Sequence, residues 1–134
     1  MTIRAVADTH ALLWYLYNDP RLSAPALALM DSIDQSGDQI AINAITLAEM
    51  VYLIEKSKIP ATSFERVVTK LSEPNSSLVE IAFDRVVADM MRRIDRSQVP
   101  DFPDRIIATT ALYLGVPLIS RDRKIQSSIV ATIW

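Results

Sequence analysis

Four acidic residues stand where the chain passes between turns and regular structure, Asp8, Glu49, Asp104 and Asp122, with Asp101 a possible fifth. Asp8 follows a short apolar run and Glu49 lies at the start of a helical pattern. Asp101 and Asp104 flank Phe102-Pro103 at the mouth of an apolar helix, and Asp122 comes just after Leu118-Ile119. Carboxylates ligate hard divalent cations and serve as general bases in hydrolysis. Two of them about 4 Å apart repel by roughly 4 kcal/mol at an effective dielectric near 20. A divalent cation between them reverses that sign and keeps both ionised. Such a centre could activate a water and stabilise charge on an attacked phosphate. Each acid also has a plainer role. Asp8, either Asp101 or Asp104, and Asp122 could each cap the helix that follows, and Thr46 with Glu49 matches a capping box in which Glu reaches back to the cap. Spacing alone leaves both readings open.

The elements that would position these acids can be read in order. An apolar run predicts a strand over 3–7, then a largely buried helix over 11–17 stopped by Asn18-Asp19-Pro20. Ser23 caps a helix over 24–33, and 39–42 reads as a second strand. Thr46 opens a helix to about 56, and Thr62 or Ser63 caps another over 64–71. A third strand spans 78–81, and Asp84 caps a helix reaching 94. The helix at Asp104 is apolar on nearly every face, as buried helices are, and stops at Gly115 with Pro117 beyond. A fourth strand over 117–120, a short helix and a final strand over 130–133 complete the chain. The alternation predicts one α/β domain over 1–134, with a central, mostly parallel sheet flanked by helices. Ligands of such open sheets collect beyond the carboxyl ends of the strands, where Asp8 and Asp122 fall.

Composition narrows the chemistry. Half of the 134 residues are hydrophobic and only two are glycine, a folded composition. There is no cysteine and one histidine, so a metal must be held by oxygen, which favours Mg²⁺ or Mn²⁺ over Zn²⁺. The net charge of −2 gives no global sign of a nucleic-acid partner. Local basic clusters at Arg92, Arg93 and Arg96 and at Arg121, Arg123 and Lys124 are either phosphate contacts or solvated helix ends. No apolar run is long enough to span a bilayer, and the first residues lack a signal-peptide layout, so a cytoplasmic location without membrane attachment is expected.

Four motifs bring a family into view: Ala7-Asp8-Thr9-His10-Ala11-Leu12-Leu13-Trp14, Asn43-Ala44-Ile45-Thr46-Leu47-Ala48-Glu49, Phe102-Pro103-Asp104-Arg105-Ile106-Ile107-Ala108, and Leu118-Ile119-Ser120-Arg121-Asp122. In order and spacing they resemble PIN-domain nucleases, and most of all the VapC-type toxins of bacterial toxin–antitoxin pairs. The closing Val130-Ala131-Thr132-Ile133-Trp134 resembles the strand that ends many of those toxins. The resemblance covers essentially the whole chain and implies that Asp8, Glu49, Asp104 and Asp122 converge as catalytic, metal-binding acids. Thr9 and Ser120 match hydroxyl positions flanking the site. Asn43, where the family often has Ser, Thr46 and the neighbouring Asp101 take supporting roles. His10 is expected to pack or hydrogen-bond. The resemblance also implies a lysine or arginine that holds the scissile phosphate. Arg105 and Arg121 are candidates by adjacency to the acids, but are rather expected to be structural or turned away, because neighbours on a helix or strand do not share a face.

The implied activity is that of a Mg²⁺- or Mn²⁺-dependent endoribonuclease. A metal-activated water would attack an RNA phosphorus in line, leaving a 5′-phosphate and a 3′-hydroxyl. The implied partners are an RNA substrate, a cognate VapB-type antitoxin and a second copy of the chain in a homodimer. Trp14, Tyr15 and Tyr17 would line the antitoxin groove or a dimer face, or belong to the core. Two other readings stand beside this one. The first is a PIN-like scaffold that binds RNA or protein without cleaving it. The second is a phospho-acceptor signalling domain with an acidic pocket, which would want a second acid pair near the first strand and a late lysine.

Overall fold

The computed structural model describes residues 1–126 and 128–134. Five short strands form one sheet: β1 (Ile3–Ala7), β2 (Gln39–Asn43), β3 (Leu78–Ile81), β4 (Leu118–Ile119) and β5 (Thr132–Ile133). Their order is β3-β2-β1-β4-β5, and every pairing is parallel. Parallel neighbours need crossovers, and helices supply them: α1 (Thr9–Leu16) and α2 (Ala24–Gln35), α3 (Ala44–Glu55) and α4 (Ser63–Ser72), α5 (Arg85–Met90) and α6 (Phe102–Leu114), and α7 (Arg123–Gln126). The order differs from the 2-1-3-4-5 sheet of the phospho-acceptor fold, which removes that alternative.

Side chains alternate across the sheet and build a core on each face. Ala5, Ala7, Ile40, Ile42 and Ile119 face one way, against Leu12, Met30, Ile33, Met50 and Val67 of α1 to α4. Val6, Ala41 and Leu118 face the other way, against Ile107, Ala108 and Ala111 of α6 and Ile125 of α7. Burial on both faces explains why the strands read as nearly continuous apolar runs. Among the described residues, no helix is long and apolar enough to cross a membrane.

The helices capped by Ser23 and Asp84 start as read, and where other helix starts depart from the sequence reading they move to an earlier residue. Asp8 caps α1, accepting from Ala11 N–H at 2.8 Å, so the helix begins at Thr9 and not at residue 11. The capping box at Thr46 and Glu49 does not form. Asn43 caps α3 instead, its Oδ1 accepting from Ile45 N–H at 2.9 Å, which moves Thr46 inside the helix and Glu49 to its second turn. Asn is a strong cap, and the chain leaves β2 straight into Ala44. Asp101 caps α6 by accepting from Asp104 N–H at 3.0 Å, with Pro103 in the first turn. The end of α6 is as expected: Gly115 takes a left-handed conformation at φ 68°.

Two later elements are shorter than read. The helix capped by Asp84 ends at Met90 and tightens into a 3₁₀ turn over Met91–Arg93, which leaves Ile94 extended and buried. The last strand was expected from residue 130, but Val130 turns into the second core and pairing starts where Ala131 C=O accepts from Leu118 N–H.

Asn43 ties the two layers together. It is fully buried, and its amide donates to Thr110 Oγ1 of α6 at 2.9 Å while it caps α3. Asn43→Ala removes a cap worth about 1 kcal/mol and a buried hydrogen bond worth about the same. We expect a loss of roughly 2 kcal/mol, seen as a lower urea midpoint with unchanged slope, and partial recovery in Asn43→Ser, which can still cap. An unchanged midpoint would show that the clasp contributes nothing.

Candidate active site

β1 sits mid-sheet with its crossover leaving toward β2 on one side and β4 lying on the other. The sheet therefore reverses its winding between β1 and β4, which opens a crevice at their carboxyl ends. Asp8 directly follows β1, and Ser120 and Asp122 follow β4; Asp8 N–H donates to Ile119 C=O at 3.2 Å across the pair. α3 brings Glu49 to this crevice and the first turn of α6 brings Asp101 and Asp104. All five carboxylates line one pocket of about 350 Å³, together with Thr9, His10, Trp14, Arg121 and Trp134. The acids that local spacing could not join thus share one opening, and Asp101 is among them.

Capping and site roles coincide. The hydrogen bonds that start α1 and α6 also fix the carboxyl groups of Asp8 and Asp101. Asp122 Oδ1 accepts from Lys124 N–H at 2.8 Å, and its own N–H donates to Ser120 Oγ at 3.0 Å. Thr9 Oγ1 donates to Glu49 Oε1 at 2.6 Å and lies 3.2 Å from Thr46 Oγ1. One hydroxyl proton serves one acceptor at a time, and the shorter contact takes it. Thr9 therefore holds Glu49, and Thr46 backs Thr9. Asn43 stands apart: it serves the fold as the clasp described above and does not line the pocket.

The electrostatics follow from crowding. Burial pushes the Asp8 carboxyl up, opposed by the Ser120 hydroxyl and Ala11 N–H. Burial also raises Glu49, helped by the charges of Asp101 and Asp8 and resisted by the Thr9 bond. Asp104 is pushed up to about 7, by burial first and then by Asp101, Asp122 and Glu49. Three carboxyls held above their ordinary range around one opening follow from burial first and from mutual repulsion second. Among the described residues, no three of these side chains are drawn together into a finished metal cage. The donor set nevertheless suits Mg²⁺ or Mn²⁺, which bind through one or two carboxylates and keep several waters. Asp8, Asp104 and Asp122 could hold such an ion, with Glu49 beside it.

The flanking residues divide. Arg105 is structural as expected: its Nη2 donates to Met91 C=O at 2.8 Å. Arg121 departs from expectation, because it lines the acidic pocket. Strand alternation does not reach it, since β4 ends at Ile119. Trp14 is buried and walls the pocket, with the His10 ring 5.5 Å and the Trp134 ring 5.8 Å away. Tyr15 donates to Asp31 at 2.8 Å, outside the acidic pocket. Tyr17 contacts the Ser63 hydroxyl at 3.0 Å in an adjoining groove that shares His10 and Trp14 with the acidic one. The sequence places Trp134 only at the end of a closing strand; its place in the pocket wall depends on the β4–β5 pairing.

Known proteins share this fold. Ribonuclease VapC22 of Mycobacterium tuberculosis is 27% identical over 120 residues, covering 90% of this chain and 88% of that protein. The structure of VapBC2 from Rickettsia felis, bound to a DNA fragment from its promoter, aligns with a TM-score of 0.70 at 18% identity, over 98% of each chain. A toxin–antitoxin complex from Klebsiella pneumoniae aligns at 0.66 and 24% identity, over 97% of this chain and 96% of that one. At these identities the two structures speak for the fold alone. The PIN domain model matches residues 5–128, a span that contains all five acids, and the chain belongs to the PIN domain family.

Proposed function

We propose that the chain is a metal-dependent endoribonuclease and the toxin of a type II toxin–antitoxin pair. The observation that carries this reading is the gathering of five carboxylates around one pocket at the sheet's switch point, within a PIN domain. The similarity to a protein named a ribonuclease and to chains from toxin–antitoxin complexes supports it. A scaffold that only bound RNA would gain nothing from acids whose mutual repulsion it must bear.

Asp8, Asp104 and Asp122 hold Mg²⁺ or Mn²⁺ in this reading. When bound, the ion offsets the charge of an RNA phosphate and makes water a better nucleophile. Glu49, fixed by the Thr9 hydroxyl, orients the attacking water and draws its proton. The water oxygen bonds to phosphorus as the bond to the 3′-oxygen breaks, and that oxygen takes a proton from solvent, leaving a 5′-phosphate and a 3′-hydroxyl. A VapB-type antitoxin and a second copy of the chain are the proposed protein partners, and the cytoplasm is the place of action.

The test is incubation of the purified protein with total RNA and Mg²⁺, with and without EDTA. Metal-dependent fragments that carry 5′-phosphate are expected. Absence of cleavage across all Mg²⁺ and Mn²⁺ concentrations would sink the proposal, and cleavage indifferent to EDTA would remove the metal from it. For the toxin role, a small DNA-binding protein encoded by the neighbouring gene should co-purify with the chain and suppress cleavage.

A further inference from the structure

Trp14 carries two arginines, and they are not equivalent. The Arg21 guanidinium lies 4.9 Å from the ring centroid and that of Arg121 lies 4.6 Å away. Arg21 forks onto Asp19, at 3.0 Å through Nε and 2.7 Å through Nη2, and lines the adjoining groove. Arg121 lines the acidic pocket, as the one lysine or arginine among its described lining residues. Among the described residues no carboxylate lies within salt-bridge distance of it, although five acids line the same opening. A guanidinium beside carboxylates ordinarily forks onto one of them. Here the aromatic face of Trp14 holds it by cation–π attraction. Trp14 is only 5% exposed, so the platform is rigid. The result is a permanently charged planar fork, positioned at the rim of an acidic site and not neutralised by it.

We infer that Arg121 grips the scissile phosphate of the RNA strand, with Trp14 as the positioning residue that keeps the guanidinium off the acids. The inference rests on the nuclease reading. A fork of paired N–H donors matches two non-bridging phosphate oxygens, which a lysine cannot do in the same way. The division of labour is electrostatic: the carboxylates take the cation, and Arg121 meets the anion that arrives with it.

The experiment compares Arg121→Ala, Arg121→Lys and Arg21→Ala. Cleavage is measured as kcat and KM, and a labelled short single-stranded RNA is titrated against each variant in an Asp104→Asn background with Mg²⁺ at several salt concentrations. Arg121→Ala should lower kcat/KM by roughly 10²-fold and reduce the salt slope of RNA binding by about 0.7, the value for one phosphate contact on a single strand. Arg121→Lys should keep the slope and recover only part of kcat. Arg21→Ala, which also loses a partner of Trp14, should cleave within a few-fold of wild type. Wild-type-like cleavage or an unchanged salt slope in Arg121→Ala overturns the inference. So does an equal defect in Arg21→Ala, because the effect would then travel through Trp14 packing. If the wild type cuts no RNA the nuclease reading fails separately, and the salt slope still decides whether Arg121 contacts phosphate.

Discussion

Asp104→Asn is expected to lower RNA cleavage by roughly 10³-fold and to stabilise the metal-free protein at the same time. The first effect follows from losing a proposed metal ligand that lines the acidic pocket, a larger change than the loss of an outer-shell partner. The second follows from its raised pKa. The carboxyl is pushed up to about 7 in the folded chain, against 3.8 as the ordinary value. The folded state therefore holds the proton more tightly than the unfolded state. The penalty for ionising Asp104 is absent below about pH 4, grows as the pH rises, and is complete above about pH 7. Removing the charge should raise stability by about 1 kcal/mol in EDTA at pH 8, after allowance for solvent screening of a half-exposed group. That corresponds to roughly 3–5 °C in Tm, with no difference at pH 4. Helix α6 should be untouched, because its cap uses the Asp104 N–H and not the side chain. A variant that cuts normally, while Asp101→Asn does not, would move the third ligand position to Asp101. Asparagine also caps helices well, so Asp101→Asn reads the loss of charge and not the loss of the cap.

Ile107→Ala should act in the opposite sense, destabilising the chain by about 3–4 kcal/mol. Ile107 lies three residues beyond Asp104 on the same helix, is fully buried, and shares the second core with Val6, Ala41 and Leu118 of the sheet. Truncation removes the transfer energy of the lost atoms and leaves a cavity between two rigid layers that cannot close over it. For a domain of this size the Tm should fall by roughly 10–20 °C. The urea midpoint should drop with little change in slope, because the surface exposed on unfolding is nearly the same. The folded fraction should keep its cleavage rate per molecule, since no acid moves. A loss below about 1 kcal/mol would show that α6 is not seated on the sheet as described. The two variants separate the helix's duties: its apolar face holds the fold, and its first turn bears an electrostatic penalty that the proposed function requires.

The strands and helices were legible because their signals are local. Apolar runs at 3–7, 39–42 and 78–81 emerge as β1, β2 and β3 within a residue of expectation. Asp84 and Gly115 cap and end their helices as read. The misses share one cause. The Thr46–Glu49 box matches a cap locally, and local pattern does not show that Asn43 caps α3 in its place. Asn43 prevails because its amide also reaches Thr110 on α6, 67 positions along the chain. The expectation that Arg121 turns away fails because it borrows a strand rule. The rule that neighbours alternate holds inside a strand, and Arg121 lies just beyond one.

By itself, then, the chain's order of residues determined the α/β layering, the oxygen-only donor chemistry and the acids placed at element ends, since each depends on periodicity, composition or a cap within a few residues. Only the tertiary structure decided that five carboxylates share one opening, that Asp101 is one of them, and that Trp14 holds Arg121 at its rim. Those facts depend on parallel pairing between β1 and β4, whose paired residues lie more than a hundred positions apart in sequence. A local pattern carries no information about which distant strand will lie alongside; the burial of both faces of the sheet supplies it.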